Sequence, residues 1–391
     1  MNQPRTATTF APPVMEARRW LEGVRFTDDL PLINVSQAAP VDPPPAALRQ
    51  HIADVALNMA DAHLYGPVLG LDELRAEVAT QFSDAYGGTI DPSQVAITSG
   101  CNQAFSAAMM SIAGEGDEVI LPTPWYFNHK MWLDMQGVHA VPLATGADLL
   151  PDPEAAEALI TERTRAIALV TPNNPGGVEY PAELVAAFAD LAARKRIQLI
   201  IDETYRDFDS RSGAPHGLFE NPDWSDHLIQ LYSFSKAYRL TGHRVGAMIA
   251  SNSRLAEAEK FLDTVTICPN QLGQHAALWG MRNLGQWLAG ERAEILDRRA
   301  AISDHMPLIA DKGWKLMGVG AYFAYVQHPF DMASDDLARE LVQKAHVLTL
   351  PGTMFKPTED TTGQQQMRIA FANVDRKGIE TLFKRLAAFE I

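Results

Sequence analysis

From about residue 90 the chain alternates between short runs of β-branched and other apolar residues and longer amphipathic or alanine-rich stretches. The apolar runs predict strands at Val95–Thr98, Glu118–Leu121, His139–Leu143, Ala166–Val170, Gln198–Ile201, Leu228–Tyr232 and Val245–Ala250. The stretches between and after them predict helices at Asn102–Ile112, Trp125–Met135, Glu154–Thr161, Ala182–Arg194 and Arg254–Thr264. Strands that alternate with helices argue for an α/β fold, with a mainly parallel sheet covered on both faces. From about residue 295 the pattern changes to a long polar helix, then Tyr322–Val326, a helical Asp335–Lys344, Val347–Leu350, Met367–Phe371 and a last helix over Lys377–Phe389. That order reads as a smaller α+β unit. Before residue 46, Pro12, Pro13, Pro31, Pro40 and Pro45 interrupt anything regular except one short helix over Met15–Gly23, so this part reads as an arm. The expected division is a large unit, 46–294, and a small one formed by 295–391 with the arm, 1–45.

Composition narrows the class. The chain of 391 residues has 33 Lys+Arg against 48 Asp+Glu, a formal net charge of −15. Such a protein has no general attraction for nucleic acid or an anionic membrane. It holds two cysteines, Cys101 and Cys268, too few for a disulfide framework and without zinc-type spacing. The 11 histidines show no HExxH spacing, so no metal site is expected. Met1–Pro13 lacks the apolar run of a secretory signal, and no stretch approaches the ~18–20 apolar residues of a membrane span. The expectation is a soluble, cytoplasmic protein.

In open α/β sheets, ligands bind beyond the carboxyl ends of the strands. Val95–Thr98 is followed by Ser99-Gly100-Cys101-Asn102, and Ala166–Val170 by Thr171-Pro172-Asn173-Asn174-Pro175-Gly176-Gly177. Gln198–Ile201 is followed by Asp202-Glu203-Thr204-Tyr205, and Leu228–Tyr232 by Ser233-Phe234-Ser235-Lys236. One such cluster would mean little: Lys236 alone would be a surface lysine, Asp202 a helix cap, and the asparagine–proline run a turn. Together they put an acid, a lysine and a glycine-bearing helix start at one sheet edge. Free N–H groups at that start suit a phosphate, with Ser233, Ser235 and Arg244 as further donors. A lysine amine condenses with an aldehyde. A cofactor carrying both aldehyde and phosphate is pyridoxal phosphate, whose pyridinium nitrogen needs an acid partner such as Asp202.

Over about residues 33–375 the sequence resembles the class I/II aminotransferases of fold type I, the pyridoxal-phosphate enzymes related to aspartate and aromatic aminotransferases. The resemblance rests on ordered motifs: Tyr65-Gly66…Gly70…Leu74-Arg75, Ser99-Gly100, Pro124-Trp125-Tyr126-Phe127-Asn128-His129-Lys130, Asn173-Asn174-Pro175-Gly176, Asp202-x-x-Tyr205, Ser233-x-Ser235-Lys236, Arg244-Val245-Gly246, Pro351-Gly352 and Arg368. It implies that Lys236 forms the Schiff base with the cofactor and later moves the proton. Asp202 would pair with the pyridine nitrogen, Asn174 and Tyr205 would bond the phenolic oxygen, and Tyr126 would stack on the ring. Gly100, Cys101, Asn102, Ser233, Ser235 and Arg244 would hold the phosphate, joined by Tyr65 from a neighbouring subunit of a homodimer. Arg368 would clamp the substrate α-carboxylate, with Asn174 and Ala38 beside it. The substrates implied are an amino acid and a 2-oxo acid.

Two departures and one gap bear on substrate. Ala38 stands where the family usually has glycine, and His243 where tryptophan is common before Arg244. Dicarboxylate-specific relatives hold the distal carboxylate with an arginine in the segment after the Arg254–Thr264 helix. Here Phe261–Gln274 contains no arginine or lysine. Neutral side chains are therefore expected, although Arg18, Arg19 or Arg25 of the arm could substitute. The rival readings are a β-elimination lyase on the same site and, more remotely, a ligand-sensing regulator. The latter usually carries a DNA-binding segment ahead of such a domain, and too few residues precede the motifs here.

Overall fold

The computed structural model describes residues 4–391. The arm carries the helix Pro13–Arg19 and then a short strand, β1 (Ile33–Asn34). Seven strands follow: β2 (Val95–Thr98), β3 (Glu118–Thr123), β4 (His139–Ala144), β5 (Thr164–Val170), β6 (Gln198–Asp202), β7 (Leu228–Ser233) and β8 (Gly246–Ile249). They form one sheet in the order β2-β8-β7-β6-β5-β3-β4. Neighbours from β7 to β4 run parallel, whereas β8 is antiparallel to both β2 and β7. Only the turns Phe234–Ala237 and Thr241–His243 separate β7 from β8. A link without a crossover helix returns the chain antiparallel, so one strand departs from the parallel reading.

Alternation along the strands splits the core. On β5, Ile167 and Leu169 face a layer that includes Phe188 and Leu191 of the helix Ala182–Lys195. Ala166 and Ala168 face the opposite layer, with Phe105 of Cys101–Ile112 and Leu255 of Asn252–Thr266. A central strand buried on both faces is what a parallel sheet covered by helices requires.

Beyond the long helix Gly285–His305 come β9 (Lys315–Gly320), β10 (Phe323–Gln327), β11 (Val347–Leu348), β12 (Leu350–Pro351) and β13 (Gln366–Ala370). The second sheet is antiparallel, in the order β12-β13-β10-β9. The single predicted strand Val347–Leu350 is therefore two: β11 pairs parallel with β1, and β12 pairs with β13. Ile33 and Val35 of the arm share a buried cluster with Ile302, Leu337 and Phe383. Helices Ala46–Asn58, Asp72–Tyr86 and Gln271–Asn283, and strand β9, have no counterpart in the sequence reading. Among the described residues no helix is long and apolar enough to cross a membrane.

Candidate active site

The carboxyl ends of β5, β6 and β7 open onto a cavity of about 530 Å³. Ala38, Cys101, Asn102, Tyr126, Asn174, Asp202, Tyr205, Ser233, Ser235, Lys236, Arg244 and Arg368 all line it. Gly100 sits just behind, as the residue before the helix Cys101–Ile112. Tyr65 stands apart from the cavity and is 80% exposed.

Each group is placed by a local rule. The end of β7 leads into a single helical turn, where the Ser233 hydroxyl accepts from Ser235 N–H at 3.3 Å. That turn carries the Lys236 amine inward to donate to the Ala38 carbonyl at 2.8 Å. Burial, with the Arg244 and Arg368 charges adding, lowers its pKa from 10.5 to about 8. Asn174 is held in a turn closed by Gly177 N–H on the Asn173 carbonyl at 2.8 Å. Arg368, in the middle of β13, is 2% exposed. It donates to Asn174 Oδ1 at 2.9 Å and to the Ser36 carbonyl, and its buried Nε has no partner. Burial lowers its pKa to about 10, which leaves it a cation.

Asp202 ends β6 almost fully buried. Burial by itself pushes its carboxyl up. His129 Nε2, 3.2 Å from Oδ2, and the Thr204 N–H, 3.0 Å from Oδ1, outweigh that, so the pKa lies below the ordinary value and the group stays anionic. His129 stacks on Phe105 with ring centroids 3.7 Å apart, which fixes its orientation. The Tyr126 hydroxyl donates to Asn102 Oδ1 at 3.2 Å and accepts from Asn128 Nδ2 at 2.9 Å. Burial raises the Tyr126 and Tyr205 pKa values, so both phenols remain protonated.

The cavity thus gathers a lysine, two arginines and one carboxylate at the edge of an α/β sheet. The profile of the aminotransferase class I and II family matches residues 31–386. The chain belongs to that family. It is 28% identical over 334 residues to an aromatic aminotransferase of Arabidopsis thaliana, covering 81% of this chain and 82% of the relative. It is 29% identical over 336 residues to an aspartate aminotransferase of Pyrococcus horikoshii, covering 83% of each. Its fold matches that of the Thermus thermophilus aspartate aminotransferase solved with maleate, with a TM-score of 0.87, 23% identity and 99% of both chains covered. The fold is accordingly that of the fold type I pyridoxal-phosphate enzymes, and the chain is a pyridoxal-phosphate-dependent aminotransferase.

The residues present fit that cofactor. The helix Cys101–Ile112 has no side-chain cap, so its first N–H groups are free for a phosphate. Gly100, at φ +86°, lets the Arg244 guanidinium approach: a Cβ there would lie 2.3 Å from Nη2. A Cβ on Gly246 would lie 2.7 Å from Cys101 N, so that glycine keeps the helix start close to β8.

Sequence reasoning named His129 only as part of the motif Pro124–Lys130 and gave it no role, yet it lies 3.2 Å from Asp202. The only signal available was its place in that motif, three residues after Tyr126, which precedes the helix Phe127–Gln136. Val14 and Gln37 of the arm also line the cavity and were not singled out.

Proposed function

We propose that this cavity binds pyridoxal phosphate at Lys236 and exchanges an amino group between an amino acid and a 2-oxo acid. The observation that carries the reading is the convergence of Lys236, Asp202, Arg244 and Arg368 on one cavity. When bound, the cofactor supplies the electron sink for breaking the bond between Cα and hydrogen. Arg244, Ser233, Ser235 and the N–H groups of Cys101 and Asn102 hold its phosphate. Asp202 keeps its ring nitrogen protonated, and Asn174 and Tyr205 bond its phenolic oxygen. Tyr126 covers the ring. Arg368 orients the substrate through its α-carboxylate, and the Lys236 amine, neutral in a useful fraction, takes the Cα proton and returns it.

The three cations lining the cavity are all committed by these roles. A distal carboxylate on the remaining walls would be desolvated without a partner, which costs several kcal/mol. We therefore infer a preference for neutral donors over aspartate. We also infer a homodimer, with Tyr65 reaching the partner's phosphate, and a large unit 46–294 set against a small unit of 1–45 and 295–391. Cys101 and Cys268 are unpaired, in keeping with a cytoplasmic setting.

A half-reaction screen tests the reading. The cofactor-loaded protein is mixed with each amino acid, and loss of the cofactor's absorbance is followed with product analysis. Stoichiometric 2-oxo acid without ammonia is expected, and kcat/KM for leucine, methionine or phenylalanine should exceed that for aspartate. Pyruvate and ammonia from cysteine conjugates, without oxo-acid exchange, would instead show a β-elimination lyase.

A further inference from the structure

Asp202 and Glu203 are consecutive carboxylates at the end of β6, and only the first has a role in the reading above. They face opposite layers of the core. Asp202 meets His129, which stacks on Phe105, whereas Glu203 meets Tyr86, the last residue of the helix Asp72–Tyr86. Glu203 is 0% exposed, and its Oε2 accepts from the Tyr86 hydroxyl and from Gln230 Nε2 of β7, the latter at 2.6 Å. Among the described residues its Oε1 has no hydrogen-bond partner, and neither has the buried His216 Nε2, 3.7 Å away. His216 Nδ1 accepts from the Leu218 N–H at 3.3 Å, so the proton of the neutral ring sits on Nε2 and faces that oxygen. Each of the two carboxylates thus has an imidazole of its own.

Donors from three elements converge on one buried carboxyl, which suits a carboxylate, an acceptor only. The other groups facing it are Arg206, whose guanidinium lies over the Phe82 and Tyr86 rings at 4.0 and 5.2 Å, and Asp209, which Arg211 holds; Asp207, beside Arg206, accepts from the Tyr232 hydroxyl. Burial lifts the Glu203 carboxyl to about 7, against the opposing pull of Tyr86, Arg206 and Gln230. Burial also lowers His216 to about 4 and keeps the Tyr86 phenol protonated. Glu203 therefore changes charge near neutrality beside a ring that stays neutral. Its main chain is the pivot of the turn that follows β6. The Glu203 N–H bonds the Leu231 carbonyl at 3.0 Å, its carbonyl accepts from the Arg206 N–H at 3.1 Å, and the N–H of Thr204 holds Asp202. We propose that Glu203 is a positioning residue: as a carboxylate it draws in the His216 Nε2–H and so fixes the turn that aims Asp202 and Tyr205 into the cavity. A protonated carboxyl has a hydrogen of its own to place, which leaves His216 unbound and the turn less fixed. This proposal rests on the aminotransferase reading.

Glu203→Gln keeps the shape of the side chain and imitates the protonated group. A carboxyl raised from 4.5 to about 7 stabilises the fold fully below 4.5 and loses that contribution as pH rises through 7. In urea unfolding of the apoprotein, Glu203→Gln should therefore gain on the wild type between about pH 5 and about pH 8. In the cofactor-loaded wild type, the half-reaction rate should rise through an ionisation near pH 7, and the absorbance of the bound cofactor should show the same inflection, because Asp202 and Tyr205 meet its ring. Glu203→Gln should lack both and, at about pH 8.5, run at least about 10-fold slower with KM changed less than about twofold. Tyr86→Phe, which removes one donor to the carboxylate, should move the inflection up by about one pH unit. A Glu203→Gln protein with the wild-type rate at about pH 8.5, with a pH profile of unchanged shape, or with a stability difference that ignores pH, overturns the proposal. If Glu203→Gln does not fold, an unmoved inflection in Tyr86→Phe overturns it. If no amino acid reacts with the wild type, the aminotransferase reading fails, and the absorbance inflection still decides on Glu203.

Discussion

Lys236 is useful because of where its amine is buried. With its pKa lowered to about 8, its neutral fraction rises as the pH passes through 8 rather than through 10.5. At pH 7.5 roughly a quarter of the amine is then uncharged, against on the order of one part in a thousand for an ordinary lysine. Reductive trapping of the apoprotein with pyridoxal phosphate and borohydride, read by mass spectrometry, should label Lys236 with a midpoint near pH 8. A midpoint above pH 10 would show that the burial is not felt. Asp202 carries the second prediction at this scale. Its lowered pKa keeps it anionic throughout the working range, held by His129 and Thr204. Asp202→Asn should retain the cofactor through the phosphate contacts and lose at least on the order of 10²-fold in half-reaction rate, since an amide cannot hold the pyridinium charge. His129→Phe, which keeps the stack on Phe105 but removes the contact with Asp202, should lose less. Unchanged rates in Asp202→Asn would argue against the pairing.

At the scale of elements, the proposed phosphate cradle depends on two strands that meet the helix Cys101–Ile112 at close range. A Cβ on Gly246 would lie 2.6 Å from Gly100 C, 2.7 Å from Cys101 N and 2.9 Å from Tyr232 O, all backbone atoms that cannot swing aside. Gly246→Ala should cost roughly 1–3 kcal/mol, as overpacking does, and should weaken cofactor retention by shifting the helix start. Thermal unfolding with and without added cofactor separates the two effects. The elements that build this edge were the most legible ones. Buried strands such as β6 and β7 are short, largely apolar runs that end in Asp202 and Ser233, so both strand and site residue could be read. Other elements gave weaker signals. Ala46–Asn58 buries only Leu48 and Val55, and Gln271–Asn283 mixes glycines with polar residues. Strand β9 (Lys315–Gly320) contains two glycines and reads as a loop. Gly318 and Gly320 are there because the Gly176–Gly177 backbone passes within 2.4 Å of where their Cβ atoms would sit, a contact set by tertiary structure. The antiparallel direction of β8 was equally invisible, since periodicity carries no sense of direction. The carboxylate–imidazole contact of Asp202 with His129 lay between distant elements that only folding brings together.

At the scale of the whole molecule, the cavity draws on both sheets: Asp202 ends one strand of the large one and Lys236 follows another, Arg368 lies within the small one, and Ala38 comes from the arm. Tyr65 stays outside, 80% exposed beside Leu64 at 64%. Its loop is tied to the segment after Asn252–Thr266: Gly66 N–H meets Cys268 Sγ at 3.4 Å, and Gln271 Nε2 donates to the Leu64 carbonyl at 2.7 Å. Val265, in the last turn of that helix, is 52% exposed and Ile267, just beyond it, 43%, so loop and helix end together present an apolar face. A twofold dimer through this face would bury it and carry each Tyr65 toward the other cavity. Complementation between variants decides whether it does. Lys236→Ala and Tyr65→Ala are each purified with low activity, then mixed under conditions that allow subunits to exchange. If Tyr65 serves the partner's site, every mixed dimer has one site in which both residues are intact. Random exchange makes half the dimers mixed, so about a quarter of wild-type activity should return. If Tyr65 serves its own subunit, or the protein works as a monomer, no mixed dimer gains an intact site. Activity that stays at the average of the two variants, with exchange demonstrated by mass spectrometry, removes Tyr65 from the partner's site.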